Sequence, residues 1–181
     1  MSSRTLEWKR MEKIELSYED LRYVMLNELK QHERMVLSTS EGEFVTSRTV
    51  RCISYGLTIY ILTNQNSRKY KQISANPNVA LADGNLQIEG VASLKGHPLK
   101  DENATFIEFL QKELPEVYEY WSHRHFNYQG LGLIEVAPRR MALFKGGVTP
   151  SETSIYVLNI GEEKAYKLIR GEYTKENRPT F

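Results

Sequence analysis

Residues 45–81, VTSRTVRCISYGLTIYILTNQNSRKYKQISANPNVAL, decide the fold prediction. Two runs rich in β-branched and aromatic residues, 44–53 and 57–63, are separated only by a turn that contains glycine. This spacing is typical of an antiparallel hairpin. Ser67 begins a short helix, which Asn76-Pro77 ends because proline disfavours helical backbone in the residue before it. The stretch therefore predicts hairpin strands followed by one helix.

The rest of the chain predicts more strands and helices around this hairpin. Ser17 is a plausible N-cap of an amphipathic helix that reaches about His32, and Pro115 separates two further helices. Other strands are predicted at 35–39, 79–82, 86–94, 131–144 with a break around Pro138, 155–160 and 165–169. About six to eight short strands at regular spacing favour a small closed antiparallel barrel with peripheral helices.

Length and composition favour one globular domain. The chain has 181 residues, of which 40% are hydrophobic and 26% are charged, and this balance suits a folded chain with a sizeable core. The predicted fold class is mainly β with helices. We expect a single domain over 1–181, with a helical lead-in at 1–33 and a C-terminal hairpin and tail at 146–181.

Charge and cysteine usage limit the possible partners and compartments. The net charge of +1 gives no reason to expect a nucleic-acid partner. The single cysteine, Cys52, rules out an internal disulfide and fits a reducing compartment. No run approaches the roughly 20 apolar residues that span a bilayer, and the charged N-terminus lacks an apolar signal core. We expect a soluble, cytoplasmic protein without a membrane partner.

A set of basic and hydroxyl side chains suggests a phosphate site. Arg48 lies on one predicted strand, Thr63 ends the next, and Ser67, Arg68 and Lys69 begin the helix. Arginine offers a planar fork, lysine a point charge and a helix N-terminus free N–H groups, and a phosphate monoester needs such donors. Cations are otherwise unfavourable at the positive end of a helix dipole. We call these five residues the cradle. The alternative is that its charged members are ordinary solvated surface residues.

Other candidate sites are weaker. His123 and His125 lie two residues apart, which would suit a shared metal on extended chain, but on the predicted helix they point to different faces. We therefore predict no metal site. Cys52 is expected to point inward as a small apolar filler rather than to serve as a reactive thiol.

The stretch from 35 to about 95 resembles the pyridoxamine 5'-phosphate oxidase-like split β-barrel flavoproteins, and in particular their general-stress-protein-like members. The matching segments are MVLSTS at 35–40, SRTVR at 47–51, IYILTNQNSRKYKQI at 59–73, NPNVAL at 76–81 and QIEGVAS at 87–93. LGLIEVAPRRMALFK, at 131–145, is similar to the closing barrel strand of that family.

This resemblance implies a homodimer that holds FMN at the subunit interface. By motif position the cofactor-binding residues would be Arg48, Thr49, Val50, Leu62, Thr63, Ser67, Arg68, Lys69 and Gln87, with Gln87 reaching the flavin ring of the other subunit. The residues themselves favour FMN over FAD, because no glycine-rich diphosphate fingerprint is present. A deazaflavin in the same fold remains an alternative.

Three positions differ from the vitamin B6 oxidase pattern. Ile53 replaces a lysine, Leu62 replaces a tyrosine, and no histidine follows His125. The prediction is therefore an FMN-dependent oxidoreductase with an unidentified small-molecule substrate and unknown catalytic residues, and B6 oxidation itself is doubtful. The alternatives are a non-catalytic flavin carrier or sensor, and a haem-binding or haem-degrading protein.

Overall fold

The computed structural model describes residues 12–146 and 153–169. The described residues form an extended antiparallel sheet with four α-helices. The strands are β1 (Glu12–Leu16), β2 (Arg34–Glu41), β3 (Phe44–Arg51), β4 (Ile53–Tyr55), β5 (Thr58–Asn64), β6 (Asn78–Asp83), β7 (Leu86–Leu94), β8 (Leu131–Lys145), β9 (Ser154–Asn159) and β10 (Lys164–Ile169). The helices are α1 (Tyr18–Leu29), α2 (Arg68–Ala75), α3 (Ala104–Glu113) and α4 (Pro115–Arg124).

The sheet is antiparallel, as predicted, but it does not close. The strand order is β1-β10-β9-β8-β7-β6-β2-β3, and β5 adds to β8 while β4 adds to β5. Among the described residues, β1 and β3 each pair with one strand only. The closed barrel expected from strand spacing is therefore wrong. Spacing predicts which strands form hairpins, but closure depends on pairing between strands that are distant in sequence.

Strand β8 connects the two parts of the sheet. One edge pairs with β7 along most of its length, whereas the other edge pairs with β5 over 131–136 and with β9 over 140–145. The change of partner surrounds Pro138, which has no N–H group to donate. The break predicted there is a change of partner in a continuous strand.

A bulge accompanies this change. Gly90 of β7 pairs with Pro138 and Glu89 pairs with Arg140, so Arg139 has no partner on β7. One extra residue exchanges the two faces of a strand. Accordingly Ile134 and Val136 before the bulge, but Met141 and Leu143 after it, point into the same core. The bulge therefore allows side chains from both halves of β8 to point into the same core.

Two apolar clusters lie on opposite faces of the sheet. The main core contains side chains of α1, of α2 and of most strands. The second, which we call the aromatic cluster, packs α3 and α4 against β5 and the start of β8. Its buried members are Ile53, Tyr60, Phe106, Leu110, Trp121, Phe126, Leu131 and Leu133. Strand β5 lies between the two, with Ile59 and Ile61 in one and Tyr60 in the other.

Local sequence rules account for the helix ends. The Ser17 side chain accepts a hydrogen bond from the Asp20 N–H at 3.3 Å, as expected of an N-cap. Pro115 begins α4 directly after α3. In the segment expected as a helical lead-in, Glu12–Leu16 forms strand β1 on β10, and residues 1–11 lie outside the described part of the chain. This strand is mostly exposed and has two apolar residues, Ile14 and Leu16, too few for the alternation that identifies a strand.

Candidate anion-binding site

The hydroxyl groups of the cradle meet where β5 runs into α2. Ser67 precedes the helix with extended backbone, and its side chain makes no capping hydrogen bond. Instead its Oγ lies 3.4 Å from Oγ1 of Thr63, at the end of β5. Both hydroxyls thus stand beside the first N–H groups of α2, which have no partner within the helix.

Arg48 approaches from β3 on the same side of the sheet as the core. Its partner in the sheet is the fully buried Leu37, so both side chains point to one face. The guanidinium donates to the Leu37 carbonyl at 3.2 Å, to Oγ1 of Thr39 at 2.6 Å, to Oγ1 of Thr46, and to Oε1 of Gln72 at 3.2 Å. Arg48 is therefore held firmly between β2, β3 and α2.

Arg48 lies close enough to Arg68 and to Lys69 for their positive charges to repel. Burial, and then the charge of Arg68, lowers the pKa of Arg48. Burial, and then the charge of Arg48, lowers the pKa of Lys69. No carboxylate among the described residues forms an ion pair with any of the three (the ion pairs lie elsewhere). Unlike ordinary surface charges, these cations converge and stay uncompensated by the described chain.

Gln72 belongs to this network, and the sequence analysis did not identify it. Its side chain is fully buried, and its Oε1 also accepts hydrogen bonds from Thr39 at 2.7 Å and Thr46 at 2.9 Å. Helical spacing places it beside Ile73, the residue that anchors α2 in the core. Buried amides require hydrogen-bond partners, but a single glutamine in a short helix gives no signal in the sequence that it is buried.

Other predicted site residues lie elsewhere. Thr49 pairs with the exposed Val36 and points to the opposite face from Arg48. Val36 pairs with Ala82 and Ala82 with Gln87, so Thr49 and Gln87 lie in one row across four strands. With strands about 4.8 Å apart, three spacings separate them by about 14 Å. No hydrogen bond or ion pair among the described residues joins either to the cradle.

Val50 and Leu62 are packed side chains. Val50 is buried in the main core. Leu62 points away from Thr63 and packs against the aromatic cluster. The Val50 side chain is therefore not available to a ligand, and the Leu62 side chain lies on the opposite face of β5 from Thr63. Alternation along a strand separates neighbours in sequence, which a motif written as consecutive residues does not convey.

Cys52 is buried in the main core, and burial raises the pKa of its thiol to about 12. The expectation of a small apolar filler is confirmed. His123 is exposed, and its Nδ1 contacts the Glu119 carbonyl at 2.8 Å. In the described ranges no group of three His, Cys, Asp or Glu side chains could hold a metal ion. None of the described helices has the length and apolar character needed to cross a bilayer.

Solved structures share this architecture. A candidate pyridoxamine 5'-phosphate oxidase from Listeria innocua is 23% identical, with a TM-score of 0.54 over 68% of this chain and 97% of that protein. General Stress Protein 26 from Bacillus anthracis is 20% identical, with a TM-score of 0.51 over 67% of this chain and 91% of that protein. The fold is that of the pyridoxamine 5'-phosphate oxidase-like proteins.

One further structural neighbour is described as a flavin-binding protein. A FAD-binding protein from Mesorhizobium loti is 11% identical to this chain, with a TM-score of 0.50 over 72% of this chain and 96% of that protein. No protein-family model matches the sequence, and no curated protein matches it either. The ligand therefore has to be inferred from the residues of the site.

Proposed function

We propose that this protein binds FMN through the cradle and acts as an FMN-dependent oxidoreductase. The observation that carries the proposal is the convergence of Arg48, Arg68 and Lys69, with the pKa of Arg48 and of Lys69 lowered. Partly buried like charges without a counter-ion cost stability. A phosphate monoester carries nearly two negative charges and would remove that cost.

The cradle fits one phosphate better than two. It combines the charges of Arg48, Arg68 and Lys69 with the hydroxyls of Thr63 and Ser67 and the first N–H groups of α2. These groups lie on the first turn of α2, at the end of β5 and in the middle of β3. FAD would need donors for a second phosphate, and the sequence has no glycine-rich strand-to-helix turn for it. The chemistry of the donors thus favours FMN, although a deazaflavin with one phosphate would suit the same cradle.

A homodimer with the flavin between subunits would account for the exposed outer face of the sheet, by which we mean the face that carries Val36, Thr49 and Gln87, opposite the main core. Val36 and Val45 are 41% and 67% exposed there, and Phe144 is exposed as well. A cleft of about 380 Å³ lies beside Val45, lined by β2, β3, β6, β7 and β8. Exposed apolar patches mark interaction surfaces. In the proposed dimer this face meets a second copy, whose Gln87 approaches the ring.

When bound, the flavin supplies the hydride or electron transfer. The chain's own contribution is to bind and orient the cofactor. The cradle fixes the phosphate end, and Thr49 offers a hydroxyl on the outer face for the ring edge. A protein nucleophile is not required for this chemistry. The proposed substrate is a small molecule.

Affinities for FMN and riboflavin test the phosphate assignment, because the two differ only in the phosphate. We expect Lys69→Met and Arg68→Met each to weaken FMN binding about 10- to 100-fold, the range for a hydrogen bond to a charged group, and to leave riboflavin binding unchanged. Lys71→Met is the matched control, since Lys71 is exposed on the same helix. Equal affinities of wild type for FMN and riboflavin would reject the assignment.

The bound cofactor can be identified directly. Mass spectrometry of the small molecule released from purified, denatured protein distinguishes FMN from a deazaflavin, FAD or haem. A red protein with a Soret band would instead favour the haem hypothesis. Bound FMN that NAD(P)H and other reductants fail to turn over would favour a carrier or sensor.

The dimer is tested separately. Light scattering should give twice the chain mass for wild type, and Val45→Glu should shift the population to monomer because it places a charge in an apolar interface. Ser74→Glu, at an exposed position of α2, is the control. A monomeric wild type would contradict the dimer and would leave the phosphate assignment standing.

A further inference from the structure

The guanidinium of Arg48 has no free terminal N–H group. One terminal nitrogen donates to the Leu37 carbonyl and to Thr39, and the other donates to Thr46 and to Gln72. Each terminal nitrogen carries two hydrogens, so both are fully used and only Nε–H remains. Arg48 in this arrangement contributes positive charge to the cradle and does not form bidentate hydrogen bonds with a phosphate.

Gln72 is the common acceptor of this network. Its Oε1 receives hydrogen bonds from Thr39, Thr46 and Arg48 at 2.7, 2.9 and 3.2 Å. The amide orientation is determined, because an arginine nitrogen can only donate and must face the oxygen. The two threonine hydroxyls accept from Arg48 and pass their own hydrogens to the same oxygen. The four side chains therefore form a closed network with one geometry.

A purely structural role explains this network poorly. The Nε2 group of the fully buried Gln72 has no hydrogen-bond partner among the described residues. Leaving a buried donor unpaired costs stability, and a methionine of similar size would fill the same space without that cost. The network also keeps a cation partly buried next to two others. The effect of the network is to fix the position of the Arg48 charge.

We propose that Gln72 is the positioning residue of the cradle. Its neutral oxygen holds Arg48 in place without cancelling the positive charge of the guanidinium. Lys69, Arg68 and the two hydroxyls then contact the ligand phosphate, and the fixed charge of Arg48 attracts it from behind them. A glutamate here would hold Arg48 equally well but would neutralise it. This inference rests on the proposed function of the cradle and adds the reason for an amide at this position.

The test compares Gln72→Glu and Gln72→Met with Ser74→Glu, which adds the same charge on an exposed position of α2. Flavin fluorescence quenching gives the dissociation constants for FMN and riboflavin. We expect Gln72→Glu to lower the preference for FMN over riboflavin about 10- to 100-fold, Gln72→Met to lower it less, and Ser74→Glu to leave it nearly unchanged. Thr46→Val, at a half-buried position, provides a second variant and should act in the same direction.

A readout without flavin separates the possible failures. Inorganic phosphate should raise the melting temperature of wild type and raise that of Gln72→Glu less. An unchanged preference for FMN in the Gln72 and Thr46 variants, or equal losses for FMN and riboflavin, would overturn the inference alone. A wild type that responds to phosphate but binds no flavin would overturn the proposed cofactor and keep the role of Gln72. A wild type indifferent to both would overturn both.

Discussion

Strand β5 separates two regions with opposite character. On one face Thr63 stands beside Ser67 in the cradle, whose cations form no ion pair with a carboxylate in the described part of the chain. On the other face Tyr60 stacks on Phe106, with ring centroids 4.1 Å apart, in a cluster of apolar and aromatic side chains. The aromatic cluster is what stability alone would select. The cradle costs stability, and the anion binding proposed above would account for its composition.

The largest effect is expected in the aromatic cluster. Trp121 is buried and packs against Phe106 and Phe126. Trp121→Ala should lower the free energy of unfolding by about 3–5 kcal/mol, because it removes a large buried ring and leaves a cavity. Urea unfolding measures the loss. Trp121→Phe is the conservative control, and a loss below about 1 kcal/mol in Trp121→Ala would contradict the assigned packing.

Gly90→Ala should have the next largest effect. A Cβ at this position would lie 2.8 Å from the Ala137 carbonyl oxygen and 2.9 Å from Cγ1 of Val136. The backbone at the bulge has to shift, at a cost of about 1–3 kcal/mol. Gly161→Ala is the matched control, because nothing lies within 4 Å of its added Cβ. Thermal unfolding that is equal for the two variants would show that the bulge absorbs the methyl group.

Lys69→Met should have a smaller effect of opposite sign. Removing one of three repelling cations should raise the free energy of unfolding of the ligand-free protein by about 0.5 kcal/mol. The pKa of Lys69 is lowered in the folded state, so the charge penalty is fully present at neutral pH and is lost as the pH rises through that pKa. Lys71→Met should give no such gain, and a destabilised Lys69→Met variant would contradict the repulsion.

Cys52 tests the main core through a rate of chemical modification and not through a free energy of unfolding. Its thiol has a pKa raised to about 12 by burial, so little thiolate exists at pH 8. We expect a disulfide reagent to label the folded protein far more slowly than the urea-unfolded protein. Labelling of the folded protein at the unfolded rate would show that the core around Cys52 opens readily.

Local chemistry made much of the fold predictable. Ser17, Asn76-Pro77 and Pro115 determine helix ends through capping and missing N–H groups. Glycine turns such as Gly56, which has a φ of 60°, identify the hairpins. Closure of the sheet and the strand β1 were not predictable in this way. Both depend on pairing across long sequence separations, and β1 carries mainly exposed residues.

The cradle was predictable only in part. The cations and hydroxyls could be identified because basic residues at a helix start oppose the helix dipole. For Thr49 and Leu62, which resemblance to the family also suggested, the face of the sheet could not be assigned without the strand register. Gln72 was missed because one buried amide gives no periodic pattern. Its importance depends on Thr39, Thr46 and Arg48, which come from two other strands.

Strand β8 has a consequence for how the molecule opens. Its first half is bonded to β5 and its second half to β9, while β7 runs along both. Neither half of the sheet can separate without exposing amides of that same strand. Amide hydrogens on both sides of Pro138 are therefore expected to exchange with solvent through the same global opening, with one common free energy of opening.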